Sequence, residues 1–279
     1  MHDGGFYSDL ALERRRLDRE IAGIDYKREV AQGGIWERIT VRTEEAAESI
    51  GRPKGIYDTL TLDRMDRLTP TEIDDAKEEI AKELCLVFER ENISPARILA
   101  LGLGNGSLTP DAIGPRTVAG IFPTLQMSRA DYDMFEEFEC SEIAAIAPGV
   151  ESTSGISARE VAIGVCKMIE PDVIIAIDAL ASRSPERLGT TIQISTTGIF
   201  PGSGVGNHKQ AIDAKSLGAP VIAIGVPTVI SSALLTQRAK EKKQPSYNML
   251  VSPKEIDGIV KSAAEIISGG INQAFGILY

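Results

Sequence analysis

Three uninterrupted apolar runs constrain the fold more than any other feature of the sequence: ILALG at 98–102, VIIAI at 173–177 and PVIAIGV at 220–226. None alternates apolar with polar residues, as a strand with one wet face would, so each reads as a strand buried on both faces. Helical patterns separate them. Residues 111–121 read as a helix, 157–169 as an amphipathic helix, and a third helix is expected from 229 to about 240. A C-terminal helix opens with Ser252 as cap and Pro253 at its first position. It carries Ile256, Ile259, Val260, Ala263, Ile266 and Ile267 on one stripe. Further strands are expected at 142–147 and 190–195. This order predicts an α/β fold, a mostly parallel sheet with helices on both faces. Ahead of it, the alternating stretch 35–41 and the stretch 55–65 predict paired strands, a small N-terminal β-containing appendage. A helix follows with Thr71 as its cap and Ile73, Ala76, Ile80, Leu84 and Val87 on one face. Residues 1–29 are charged and poor in periodic apolar positions, although 10–22 could be helical.

Composition removes several function classes. The chain has 40 acidic and 30 basic residues, a formal net charge of -10, which argues against direct nucleic-acid binding. The apolar runs fall far short of the roughly 20 residues of a membrane span, and residues 1–20 lack the apolar segment of a secretory signal. The three cysteines, Cys85, Cys140 and Cys166, are odd in number with no C-x-x-C pair, as expected of reduced, partly buried thiols in a reducing cytosol. A nucleophilic Cys or Ser needs a histidine, and only His2 and His208 exist; Ser203 lies near His208. No H-E-x-x-H or Cys/His cluster suggests a metal. No cofactor is expected either: GLGNG at 102–106 is followed by Ser107 where a dinucleotide loop needs glycine, and 198–207 is not followed by G-K-[ST].

In open α/β sheets, ligands bind beyond the carboxyl ends of the strands. Those ends bring up 104–111, 178–184 and 225–228, and with them Asp111 and Asp178. Two neighbouring carboxylates can divide the work of amide hydrolysis, one taking a proton from water and the other donating to the carbonyl or leaving amine. Simpler roles compete at this level. Asp178 could cap a helix or tie down a loop, and Asp111 after Thr109 and Pro110 could start a helix. The glycine-rich loops could be plain surface loops, or backbone that receives an extended peptide or an oxyanion.

Longer strings resemble one family. GLGNGSLTPDAIGP (102–115), IAIDALASRS (175–184), TTIQIS (190–195), GIFPGSGVGN (198–207) and VIAIGVPT (221–228) look like the spore germination proteases, and SDLALE (8–13) and MLVSPKEI (249–256) extend the likeness towards both ends. The resemblance implies an endopeptidase that degrades small acid-soluble spore proteins at germination, in the cytoplasm of the spore core. It implies an atypical aspartic mechanism with Asp111 and Asp178 as the catalytic pair, and a fold shared with hydrogenase-maturation peptidases. It further implies a zymogen cut at the Asp9–Leu10 bond, so that residues 1–9 are a propeptide and 10–279 a single peptidase domain, and a homotetramer. The segment before Asp9 and the stretch between Thr228 and Met249 are shorter than is usual in the family. Two other readings fit the same fold: a metal-guided maturation peptidase, and a non-catalytic sporulation-related binding protein.

Overall fold

The computed structural model describes residues 8–14, 21–200, 211–238 and 249–277. His2, Ser203, His208, most of the loop 198–207 and the connector 240–245 lie outside the described residues.

Among the described residues nine strands form one mixed sheet: β1 Ile24–Ala31, β2 Gly34–Val41, β3 Gly55–Thr61, β4 Arg97–Gly102, β5 Glu142–Ile146, β6 Val173–Ser182, β7 Thr191–Ser195, β8 Val221–Ser231 and β9 Leu250–Val251. Their order is β1-β2-β3-β7-β8-β6-β4-β5, with β9 paired to β8. The three apolar runs are β4, β6 and β8, and with β5 they make the parallel half. The expected N-terminal strands pair with each other, and β3 also pairs with β7, Leu60 opposite Ile192. The N-terminal β region therefore continues the main sheet. Strand β1 escaped sequence reading because its residues, IDYKREVA, are charged and mostly solvated. A two-residue turn at Gln32 and Gly33 and full pairing with β2 define it.

Helices cover both faces. On one, Pro70–Glu91, Ile113–Gly120 and Ile256–Ala274 pack over Ile98, Ile175, Ile177, Ile192 and Ile224. On the other, Ala158–Ile169 lays Ala162, Cys166 and Ile169 over Leu99, Leu101, Ile174 and Ala176. Alternation along β6 thus sends Ile177 to the first face and Asp178 to the second.

Several local expectations change. Thr69, not Thr71, caps the helix Pro70–Glu91: its hydroxyl accepts from Glu72 N–H and the Glu72 carboxylate reaches back, which puts Pro70 in the first turn. Ser252 does not cap the C-terminal helix, which begins at Ile256 after Glu255. Strand β8 runs on to Ser231, so the following helix is Ser232–Arg238. Likewise β6 passes Asp178 and ends at Ser182. Pairing with β8 persists through a register shift after Leu180, so Asp178 stands within a strand. Asp111 does not start a helix; it closes the 3₁₀ turn Thr109–Asp111, and the helix begins at Ile113. The three cysteines are free; Cys85 is exposed, Cys140 half-buried and Cys166 buried.

Candidate active site

The loop after β4 is folded onto the sheet by two glycines. Gly104 has φ +105°, and a Cβ there would lie 2.1 Å from the Asp111 carbonyl oxygen. Only a residue without a side chain can take that conformation at that separation. A Cβ on Gly114 would stand 2.3 Å from the Leu103 carbonyl oxygen and 2.6 Å from that of Ile177. These glycines draw Asp111 and the start of its helix down against the end of β4 and the middle of β6. The glycine pattern at 102–106 thus serves close backbone approach.

Asp111 is fixed from two sides. Its Oδ2 accepts from Asn105 N–H at 2.7 Å, and its own N–H donates to the Leu108 carbonyl at 2.8 Å. Thr228, fully buried on β8, donates its hydroxyl to the Pro110 carbonyl at 2.7 Å, tying the turn to the middle of the sheet. Asp178 is 6% exposed, and its Oδ1 accepts from Ala179 N–H at 2.9 Å. Both side chains line one cleft of about 850 Å³, along with Leu103, Thr228 and Asp9. The structure therefore brings together the two sequence-derived carboxylates and the residue before the expected processing bond.

A polar row crosses the sheet beside Asp178. Gly225 on β8 pairs with Asp178 on one side and with Gln193 of β7 on the other. Gly225 has no side chain, and the Leu180 side chain fills the space where one would stand in this row. The segment from Ser8 to Ala11 lies over it. Gln193 brackets Leu10: its Oε1 accepts from Ala11 N–H at 2.9 Å, and its Nε2 donates to the Asp9 carbonyl at 3.3 Å. Asp9 N–H donates to the Ala181 carbonyl at 2.9 Å, and Ala181 N–H donates back to Asp9 Oδ2 at 2.9 Å. Arg52 donates to the Ser8 carbonyl and stands 3.6 Å from Asp9 Oδ1. Leu10 is fully buried, in the cluster that holds Ala176 and Leu180. Asp9 thus lines the cleft and Leu10 is buried next to it, beside the strand that carries Asp178.

Sequence reading missed Gln193 and Arg52, and brought up Thr228 only as the end of the 225–228 segment. A signal existed for the first: Gln193 sits in TIQIS, a strand buried along its whole length, where a polar side chain needs a partner. Arg52 carries no such signal, since its role depends on a chain segment over forty residues away. Among the described residues no group of three or more His, Cys, Asp or Glu side chains could hold a metal ion. Burial pushes the Cys140 and Cys166 thiols up, away from the thiolate a nucleophile requires.

The germination protease family model matches residues 7–242 of this chain. The chain belongs to the germination protease family. It is 38% identical to the germination protease of Caldanaerobacter subterraneus subsp. tengcongensis, over 97% of this chain and 94% of that protein. It is 35% identical to that of Clostridium perfringens, over 96% and 94%, and 34% identical to that of Priestia megaterium, over 95% and 90%. Among solved structures, a [NiFe] hydrogenase maturation protease from Thermococcus kodakarensis aligns with a TM-score of 0.41 at 17% identity, covering 69% of this chain and 97% of that one. This member of the germination protease family is accordingly a protease acting on protein substrates. Among its described residues no helix is long and apolar enough to cross a membrane.

Proposed function

We propose that the protein is an endopeptidase that hydrolyses small acid-soluble spore proteins at germination, with Asp111 and Asp178 as a catalytic pair. The observation that supports the pair is that both carboxylates line one cleft, each with an oxygen held by a backbone N–H. In this reading one carboxylate takes a proton from the attacking water. The other protonates the carbonyl oxygen or the leaving nitrogen of the scissile peptide. Positioned acid–base groups of this kind supply roughly 10²–10⁴-fold of rate. The cleft also accommodates an extended chain, as the seating of Ser8 to Ala11 suggests.

The reading extends to a zymogen that loses residues 1–9 by cleavage at Asp9–Leu10, leaving a peptidase domain of residues 10–279. Its support is the position of that bond over the cleft. Homotetramer assembly and action in the spore core rest on the family resemblance. The test is digestion of a purified small acid-soluble spore protein. Asp178→Asn should abolish cleavage, by at least about 10³-fold, with the circular dichroism spectrum unchanged. A folded Asp178→Asn protein that still cleaves would overturn the pair.

A further inference from the structure

Among the described residues the Glu13 carboxylate meets four donors, and none of them is a cation. Its Oε1 accepts from the Ser182 hydroxyl at 2.6 Å and Ser184 N–H at 2.8 Å. Its Oε2 accepts from Arg183 N–H at 2.7 Å and from the Ser8 hydroxyl. Glu13 therefore clamps the turn at the end of β6, four residues beyond Asp178. A half-buried carboxylate with only neutral partners gains most from a cation brought to it, because charge-assisted hydrogen bonds are about twice as strong as neutral ones.

A cation can arise beside it from the chain itself. The Ser8 hydroxyl that donates to Glu13 also accepts from Leu10 N–H at 3.0 Å. Hydrolysis of the Asp9–Leu10 bond consumes one water: the C–N bond breaks, Asp9 gains a carboxylate, and the Leu10 nitrogen takes up a proton to become an ammonium. Ser8 leaves with residues 1–9. Leu10 stays anchored by its buried side chain, and Ala11 by Gln193.

We propose that the new Leu10 ammonium takes the place of the Ser8 hydroxyl and pairs with Glu13, which makes Glu13 a positioning residue of the processed enzyme. The proposal rests on the processing reading above. Cleavage then replaces one hold on β6 by another. Asp9 releases Ala181, while the ion pair fastens the 182–184 turn and keeps Asp178 in place. Among the described residues the charged groups nearby are Asp9, which leaves with residues 1–9, Arg52, 3.6 Å from Asp9, Asp178, which lines a small cavity with both of them, and Arg183, whose N–H already meets Glu13.

The full chain is incubated with its protein substrate and its mass followed to detect loss of residues 1–9. The Leu10 amine is then titrated by reductive methylation with formaldehyde across pH, read by mass spectrometry of the N-terminal peptide. In the processed wild type the amine should titrate at least about one pH unit above a free α-amine, whose pKa is near 8. Glu13→Gln should return it to the ordinary range and lower activity about tenfold, with partial rescue by Glu13→Asp. Equal titration in wild type and Glu13→Gln overturns the ion pair. If Glu13→Gln does not fold, the wild-type titration decides alone: an amine in the ordinary range overturns it. A chain that cleaves substrate while its own mass stays intact overturns the processing reading as well, and the mass tells the two failures apart.

Discussion

Two groups of acids at the same sheet are held in different ways. On the face under Pro70–Glu91, Asp58 and Glu83 form a closed network with Arg38 and Arg90. Arg38 bonds both acids, and Arg90 reaches Glu83 at 2.7 Å and Asp58 at 3.3 Å. Asp178, buried on the opposite face, and Asp111, half-buried in the loop after β4, are held by backbone N–H groups and line a cleft. Asp58 is even more buried than Asp178, 1% against 6% exposed. Burial of a carboxylate therefore does not mark a site. What separates the two is access: one pair is sealed against guanidinium groups under a helix, the other faces space that a peptide can enter.

The largest effect that can break this comparison is on stability. Arg38→Ala leaves two buried carboxylates facing one guanidinium. Removing one partner of a buried ion pair costs about 3–5 kcal/mol, and the partial exposure of Arg38 places the loss at the lower end of that range. Chemical denaturation should show it, while the folded fraction cleaves substrate at the wild-type rate. A stable Arg38→Ala protein with impaired cleavage would mean that the network belongs to the site.

A smaller effect is on pH dependence. Burial, and then the Glu83 charge, raise the Asp58 pKa to about 7 against the pull of Arg38 and Arg90. The folded value lies above the unfolded value of about 3.9. The stabilisation from this group is therefore fully present below about pH 4 and is lost as pH rises through 7. The midpoint of thermal unfolding should fall between about pH 4 and 7, and Asp58→Asn should flatten that fall. An unchanged slope in Asp58→Asn would assign the effect to other groups.

The two regions were unequally legible in the sequence. The parallel half of the sheet was readable because β4, β6 and β8 are apolar throughout, and only burial on both faces tolerates such runs. The charged strand β1 was invisible, because its existence depends on pairing with β2 more than on its own side chains. Asp178 could be read as a charge embedded in an apolar run, although the strand continues past it. Asp111 carried weaker information, since Thr109 and Pro110 read as a helix start; the fold of its loop depends on Gly104 and Gly114 approaching backbone that the sequence does not place. The Asp58 network was not anticipated at all. Its four members come from β2, β3 and one helix, and neither spacing nor composition brings them together.

In the proposed mechanism Asp111 and Asp178 act as one unit. Single-turnover cleavage of a small acid-soluble spore protein by Asp111→Asn, by Asp178→Asn and by the double variant tests this most directly. Groups that share one proton-transfer step are strongly non-additive, so the double variant should be no slower than the slower single variant within about threefold. Losses that multiply in the double variant, or a single variant that keeps wild-type cleavage, would contradict the account.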